Sequence, residues 1–270
     1  MTRRKFLRLT TLGVMGAGLA VDATAIEPRR IQVTTHDVPL NRLPRELDGF
    51  KIVQLSDLHR GYSTPDSIIR KSVTLANDLQ ADIALTTGDY VSHWAENSKQ
   101  CAKMLSGLKT KMGTYAVLGN HDHWTDANIV RKHLEEHEIT ILTNERVSLA
   151  PGLDLLGIDD FWVGKADCKA TWRQADPDAA HVFVSHNPLA VREIKHHDCL
   201  MITGHTHGGQ VNLPFISRDL LPGMKGWRYI QGWYHVGKVN MYVNRGIGMV
   251  APPIRFLCRP EVTLYVLRSA

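Results

Sequence analysis

Five short apolar runs, each ending in a cluster of glycine, aspartate, asparagine or histidine, constrain this chain more than any other feature of its sequence. KIVQLS (51–56) leads into Asp57-Leu58-His59, and DIALTT (82–87) into Gly88-Asp89. YAVLG (115–119) leads into Asn120-His121-Asp122, HVFVS (181–185) into His186-Asn187-Pro188, and LMITG (200–204) into His205-Thr206-His207. Short apolar runs bounded by turn residues read as strands buried on both faces. Helical segments separate the first three. One begins at Thr64-Pro65-Asp66, with Thr64 as N-cap and Pro65 at the first helical position, and carries Ile68, Ile69, Val73, Leu75 and Leu79. Residues 96–109 and 126–137 have similar character. From Ile139 the pattern changes to shorter strands closer to a meander: ITIL, RVSLA and LDLLGI, with VNMYVN and VTLYVLR later. The expected fold is α/β, with two mixed β-sheets packed face to face and helices outside, in a single domain over residues 26–270.

Strand carboxyl ends in such a sheet open into one crevice, where ligands bind. Five of them would gather Asp57, His59, Asp89, Asn120, His121, Asp122, His186, His205 and His207. Each residue alone reads as a strand-end turn former or loop histidine. Together they offer more ligand-type side chains than one ion uses. Carboxylate and imidazole suit zinc, manganese or iron, and a carboxylate with two oxygens can bridge two cations. The GHTHGGQ stretch (204–210) fits this reading, because Gly208-Gly209 lets the backbone turn away from the two imidazoles.

The four cysteines, at positions 101, 168, 199 and 258, form no CxxC pair and are expected to be buried free thiols. The chain carries a formal charge of +5. Arg3, Arg4, Lys5 and Arg8 face only Asp22 within residues 1–25, which leaves 28 basic and 26 acidic residues in the remainder. That near-balance gives no nucleic-acid-binding surface. The basic start, the apolar stretch Leu9–Val21 and the small-x-small site Ala23-Thr24-Ala25 resemble a twin-arginine export signal. The expectation is recognition of residues 1–25 by the twin-arginine machinery. The body would then be delivered folded to the periplasm or the outer face of the inner membrane.

DLH, GDY, GNHD, SHNP and GHTHGGQ, in this order, resemble the calcineurin-like metallophosphoesterase superfamily. The lead-in LDGFKIVQLSDLHRG and the late VNRGIG and PPIR segments are similar to its small exported phosphodiesterase branch. The resemblance covers about residues 40–267. It implies that Asp57, His59 and His207 bind one divalent metal, that Asn120, His186 and His205 bind another, and that Asp89 bridges them. It implies further that His121 faces the substrate and protonates or stabilises the leaving oxygen, held by Asp122. Two such ions can neutralise phosphate oxygens and acidify a bridging water.

Residues 213–235 mix Phe215, Leu220, Leu221, Met224, Trp227, Tyr229, Trp233 and Tyr234 with Arg218, Lys225 and Arg228. Aromatic and cationic side chains in one segment suit a membrane interface. The expected substrate is therefore a phosphodiester or pyrophosphate, lipid-linked or of the envelope, with peripheral membrane contact. Two rival readings make weaker use of the residues. A cofactor-bearing redox protein lacks a dinucleotide fingerprint after any strand, and a non-catalytic metal scaffold has no need of His121 and Asp122.

Overall fold

The computed structural model of the chain describes residues 2–61, 63–213 and 227–270. Two six-stranded mixed sheets pack face to face. The first runs β1 (Gln32–Leu40), β12 (Glu261–Ser269), β2 (Lys51–Leu55), β3 (Ile83–Thr87), β4 (Thr114–Val117), β5 (Ile139–Ile141). The second runs β10 (Gly232–Val236), β11 (Val239–Val243), β9 (Cys199–Thr203), β8 (Ala180–Val184), β7 (Leu153–Gly157), β6 (Glu145–Ala150). β2 through β5 are mutually parallel, as are β7, β8, β9 and β11.

The central strands read as unbroken apolar runs because both faces are buried. Ile52, Ile83, Leu85, Val182 and Ile202 fill the space between the sheets. Their neighbours Val53 and Ala84 meet α2 (Asp66–Asp78), α3 (Asn97–Leu105) and α5 (Ala127–Glu135). On the far side Phe183 and Met201 pack under α6 (Cys168–Arg173) and α7 (Val191–Ile194). Each buried Ile, Leu, Val, Phe or Met side chain among these contributes about 1.5–3 kcal/mol of transfer free energy. The carboxyl ends of β2, β3 and β4 in one sheet, and of β8 and β9 in the other, therefore meet along one rim.

Several local expectations are corrected. ITI does not start a meander; it closes the first sheet as a parallel edge strand. VTLYVLR is β12, which crosses back to lie antiparallel to β2 and parallel to β1. β1 and β10 carry too little apolar alternation to stand out from the sequence. Pro65, not Thr64, occupies the N-cap of α2. Thr64 instead accepts the Met249 N–H at 3.2 Å, tying the loop after His59 to the C-terminal segment. All four cysteines are buried and unpaired.

Helix α1 (Arg3–Val21) precedes this body. No helix of the described residues is long and apolar enough to cross a membrane. The segment after α1 touches the body: the Arg255 N–H donates to the Ala23 carbonyl at 2.9 Å, and buried Glu27 accepts the Cys258 N–H.

Candidate metal centre

Each ligand-type side chain sits two to four residues past a strand end. Five of these residues leave the strand in the left-handed region: Asp57, His59, Asp89, His205 and His207 have φ between 44° and 74°. Non-glycine residues adopt that region at a cost of about 1–3 kcal/mol each, sustained where the surrounding structure fixes them. The turns pull the loops so close that several glycine positions, Gly204 and Gly119 among them, admit no Cβ. One added at Gly204 would lie 1.9 Å from Ser56 Oγ, and one at Gly119 would lie 2.3 Å from Asp89 Oδ1.

The structure brings the side chains into two groups that share Asp89. Asp57, His59, Asp89 and His207 form one, and Asp89, His186 and His205 the other. In the first, His59 Nε2 lies 3.0 Å from His207 Nε2 and 3.4 Å from Asp89 Oδ2, and His207 Nε2 lies 3.5 Å from Asp57 Oδ1. In the second, His186 Nε2 lies 3.2 Å from Asp89 Oδ2, 3.2 Å from His205 Nδ1 and 3.1 Å from Asn120 Oδ1.

The hydrogen-bond chemistry of His186 tests whether cations fit. Its Nδ1 is 2.7 Å from the Thr87 carbonyl, so Nδ1 carries a proton. In the neutral ring Nε2 is then a lone pair facing a carboxylate, an amide oxygen and the nitrogen of a second imidazole. Such a set of acceptors closes around a cation. Burial by itself would lower the His186 pKa, but the charge and hydrogen bond of Asp89 carry it well above its ordinary value. Asp89 shows the converse: burial opposes its ionisation, yet His186 and His59 hold it well below the usual carboxylate range. Asp57, Asp89, Asp122 and Asp160 are all buried here. The cavity favours positive charge, and its oxygen and nitrogen donors fit divalent metal.

His121 opens α4 (Asn120–Thr125) at position two, with its N–H on Asp89 Oδ1 at 2.8 Å. Its ring stands edge-on to His59, with centroids 4.7 Å apart. The expectation that Asp122 holds this ring is corrected. Asp122 is buried and accepts three backbone N–H groups, from Asp89, Tyr90 and Gly119, each at 2.9 Å. Burial and the Asp89 charge push its carboxyl up to about 7 against the pull of these amides. The ring of His121 is held by the Ser92 carbonyl, 3.2 Å from Nδ1, and burial lowers its pKa. Ser92 Oγ also lies 3.2 Å from His59 Nδ1. Sequence reasoning passes over Ser92 because a serine in a loop carries no chemical signal of its own.

Two neighbours of ligands are not free for substrate. Arg60 is engaged by Asp66 at 2.9 Å and Asn97 at 2.7 Å, and Tyr90 is buried with its hydroxyl on Thr86 and Val117. A cavity of about 470 Å³ opens over His121, His205 and His207. Its apolar wall includes Val211, Val250, Pro252 and Ile254, and Trp124, Trp162 and Trp227 stand at its mouth. These indoles extend a chain of ring contacts from His121 through Trp124, Trp162 and His205 to Trp227, with centroids 4.8 to 5.8 Å apart. Trp124 and Trp162 went unnoticed in the sequence because they lie far apart in it, one in α4 and one in the loop after β7.

The aromatic segment 213–235 divides. Phe215, Arg218, Leu220, Leu221, Met224 and Lys225 lie outside the described residues. Trp227 is exposed at the mouth, whereas Trp233 packs edge-on against His36 and Tyr242 over the inter-sheet core.

A family profile described as calcineurin-like phosphoesterase matches residues 50–209. The chain is 32% identical to the uncharacterized metallophosphoesterase YkuE of Bacillus subtilis, covering 100% of this chain and 98% of the relative. It is 30% identical to the phosphodiesterase YaeI of Escherichia coli, covering 99% of each. It is 26% identical to the UDP-2,3-diacylglucosamine pyrophosphatase LpxG of Chlamydia muridarum, covering 90% of this chain and 91% of the relative.

Proposed function

Because the chain belongs to the calcineurin-like phosphoesterase family, we propose that it is a two-metal phosphodiesterase or pyrophosphatase acting on an amphiphilic, lipid-linked substrate. The single observation that carries this reading is the pair of ligand groups sharing Asp89 beside His121 and a cavity with an apolar wall. Asp57, His59, Asp89 and His207 would hold one divalent ion, and Asp89, Asn120, His186 and His205 the other. Manganese, zinc and iron all suit such donors. When bound, the ions supply charge for the phosphate oxygens and an acidified water.

The remaining work falls to the chain's own residues. The Thr87 carbonyl fixes the tautomer of His186 and the Ser92 carbonyl that of His121, while the Ser92 hydroxyl sits against His59 Nδ1. With Nδ1 donating to Ser92, His121 presents Nε2 to the cavity. The ring acts as acid only as the imidazolium, and the negative phosphate offsets the burial that disfavours that form. As the bond from phosphorus to the leaving oxygen breaks, Nε2 gives its proton to that oxygen.

Related proteins named as a phosphodiesterase and as a diacylglucosamine pyrophosphatase support the reaction class. The apolar wall and the three tryptophans favour a partner with an acyl portion at a membrane surface. Export of residues 26–270 by the twin-arginine machinery, directed by residues 1–25, would place the enzyme in the periplasm or on the outer face of the inner membrane. The test is hydrolysis of bis-p-nitrophenyl phosphate beside p-nitrophenyl phosphate by the full chain loaded with manganese. Metal-dependent turnover of the diester is expected; a protein that binds two ions and hydrolyses neither compound would overturn the phosphodiesterase reading, and one that also leaves a diphosphate diester intact would overturn the proposal.

A further inference from the structure

We propose that a second chamber, joined to the metal centre at His205, is the subsite for a second phosphate, and that the bond cleaved is the P–O–P bridge of a diphosphate diester. This rests on the hydrolytic reading above and narrows it.

The chamber has a volume of about 180 Å³ and meets the main cavity at His205 and Thr206, between Trp162 and Trp227. Its remaining lining includes Arg192, Arg228, Pro188 and Tyr229, and among the described residues no carboxylate. Arg192 comes from α7, directly after the His186-Asn187-Pro188 loop. Arg228 lies over the buried Tyr229 ring, 5.7 Å from its centroid. Other arginines by the ligand loops are committed: Arg60 to Asp66, Arg245 to Glu261, and Arg255 to four backbone carbonyls. Among the described residues Arg192 and Arg228 have no anionic or carbonyl partner. Both guanidinium groups line the one chamber, and their planar donors match phosphate oxygens.

His205 belongs to both spaces, so a phosphate in the chamber adjoins a phosphate at the metal ligands. The two phosphates of a diphosphate, joined by one oxygen, would occupy these two adjoining spaces. The two substituents would leave by different routes, one along the apolar wall and one past Trp227. Hydrolysis adds water across the bridge. The water oxygen bonds to the phosphorus at the metal ligands, and the bridging oxygen departs with the second phosphate, its charge held by Arg192 and Arg228. The products are two monoesters that share the two protons of the water.

Bis-p-nitrophenyl phosphate and P1,P2-bis(p-nitrophenyl) diphosphate carry the same arms and differ by one phosphate. Both are to be given to the native full chain and to an R192Q/R228Q variant, with the diphosphate followed by phosphorus NMR. The native protein is expected to prefer the diphosphate by about tenfold or more in kcat/KM. The variant is expected to lose that preference while handling the monophosphate diester within about twofold. Equal losses on both compounds, or no loss on either, would overturn the subsite. Failure of the native protein to hydrolyse either compound would instead count against the hydrolytic reading. Calorimetric titration of P1,P2-diphenyl diphosphate then decides the subsite by itself, since equal affinity in native and variant protein overturns it without any turnover.

Discussion

The carboxylate of Asp122 accepts the backbone N–H of Asp89 at 2.9 Å, and through that bond one buried side chain fixes the residue shared by both ligand groups. Its two oxygens take three amides in all. Asp122→Asn places an NH2 group against at least one backbone N–H whichever way the amide turns. Each buried donor left unsatisfied costs about 1–3 kcal/mol. The expected result is a protein that still folds, with manganese affinity about 10–100-fold weaker, as for other groups that orient metal ligands. Calorimetric manganese titration of this variant measures it; unchanged affinity would show that the Asp89 turn holds without Asp122.

His121 is predicted to matter in proportion to the basicity of the leaving group. p-Nitrophenolate departs with little help, whereas an alkoxide needs a proton as its bond to phosphorus breaks. His121→Ala should therefore lower kcat by about 10²–10⁴-fold for an alkyl diester and by much less for bis-p-nitrophenyl phosphate, with metal content unchanged. A uniform loss across a leaving-group series would assign His121 to substrate binding instead.

His123 Nε2 lies 2.7 Å from Asp159 Oδ1, which ties α4 to the loop carrying Trp162. Asp159 also accepts the Asp160 and Lys165 N–H groups, and Asp160 accepts those of Trp162 and Val163. Holding Trp162 against Trp124 thus depends on this ion pair. The hydrogen bond to Asp159 raises the His123 pKa against the opposing effect of burial, with Asp160 and Asp122 adding to the rise. For Asp159 burial opposes ionisation, but His123 and the amides bring its pKa below 3.8. The His123 contribution is full below its ordinary 6.5 and lost as pH rises through the raised folded value. The Asp159 contribution is present above 3.8 and lost as pH falls through its lowered folded value. KM for a lipid-linked substrate should accordingly rise on the alkaline side in the native protein. In His123→Ala it should be high and flat across the same range, with kcat nearly unchanged. A KM in that variant that still climbs with pH would refute the clamp.

Much of the architecture was legible because strands buried on both faces cannot hide. β2, β3, β4, β8 and β9 stand out as apolar runs, and their ends carry nearly every polar residue of the site. What stayed hidden depended on tertiary context. β1 exposes most of its side chains and gains its place by pairing with β12. Trp124 and Trp162 become neighbours only when α4 and the Asp159 loop meet. The family resemblance implied that Asp122 holds the His121 side chain. The first turn of α4 instead aims its carboxylate back at the amides of Gly119, Asp89 and Tyr90. Trp233 resembled Trp227 in composition, but strand periodicity turns it onto the core.

Removing metal should destabilise the protein, because the ligand cavity concentrates negative charge and strained backbone. Asp57 and Asp89 are both buried, and burial raises the Asp57 pKa, with the Asp89 charge adding to the rise. An ion bound only by the folded chain stabilises it by about 2.7 kcal/mol at a hundred times its dissociation constant. For a chain of this size each kcal/mol moves Tm by about 2–4 °C. Saturation of two sites should thus raise Tm by roughly 10–20 °C over chelated protein. Asp89→Asn, which weakens both groups at once, should retain only a small part of that rise, whereas Asn120→Ala touches one group and should retain about half. Thermal unfolding of the three proteins with and without manganese decides the point, and a rise fully retained in Asp89→Asn would mean that the ions bind elsewhere.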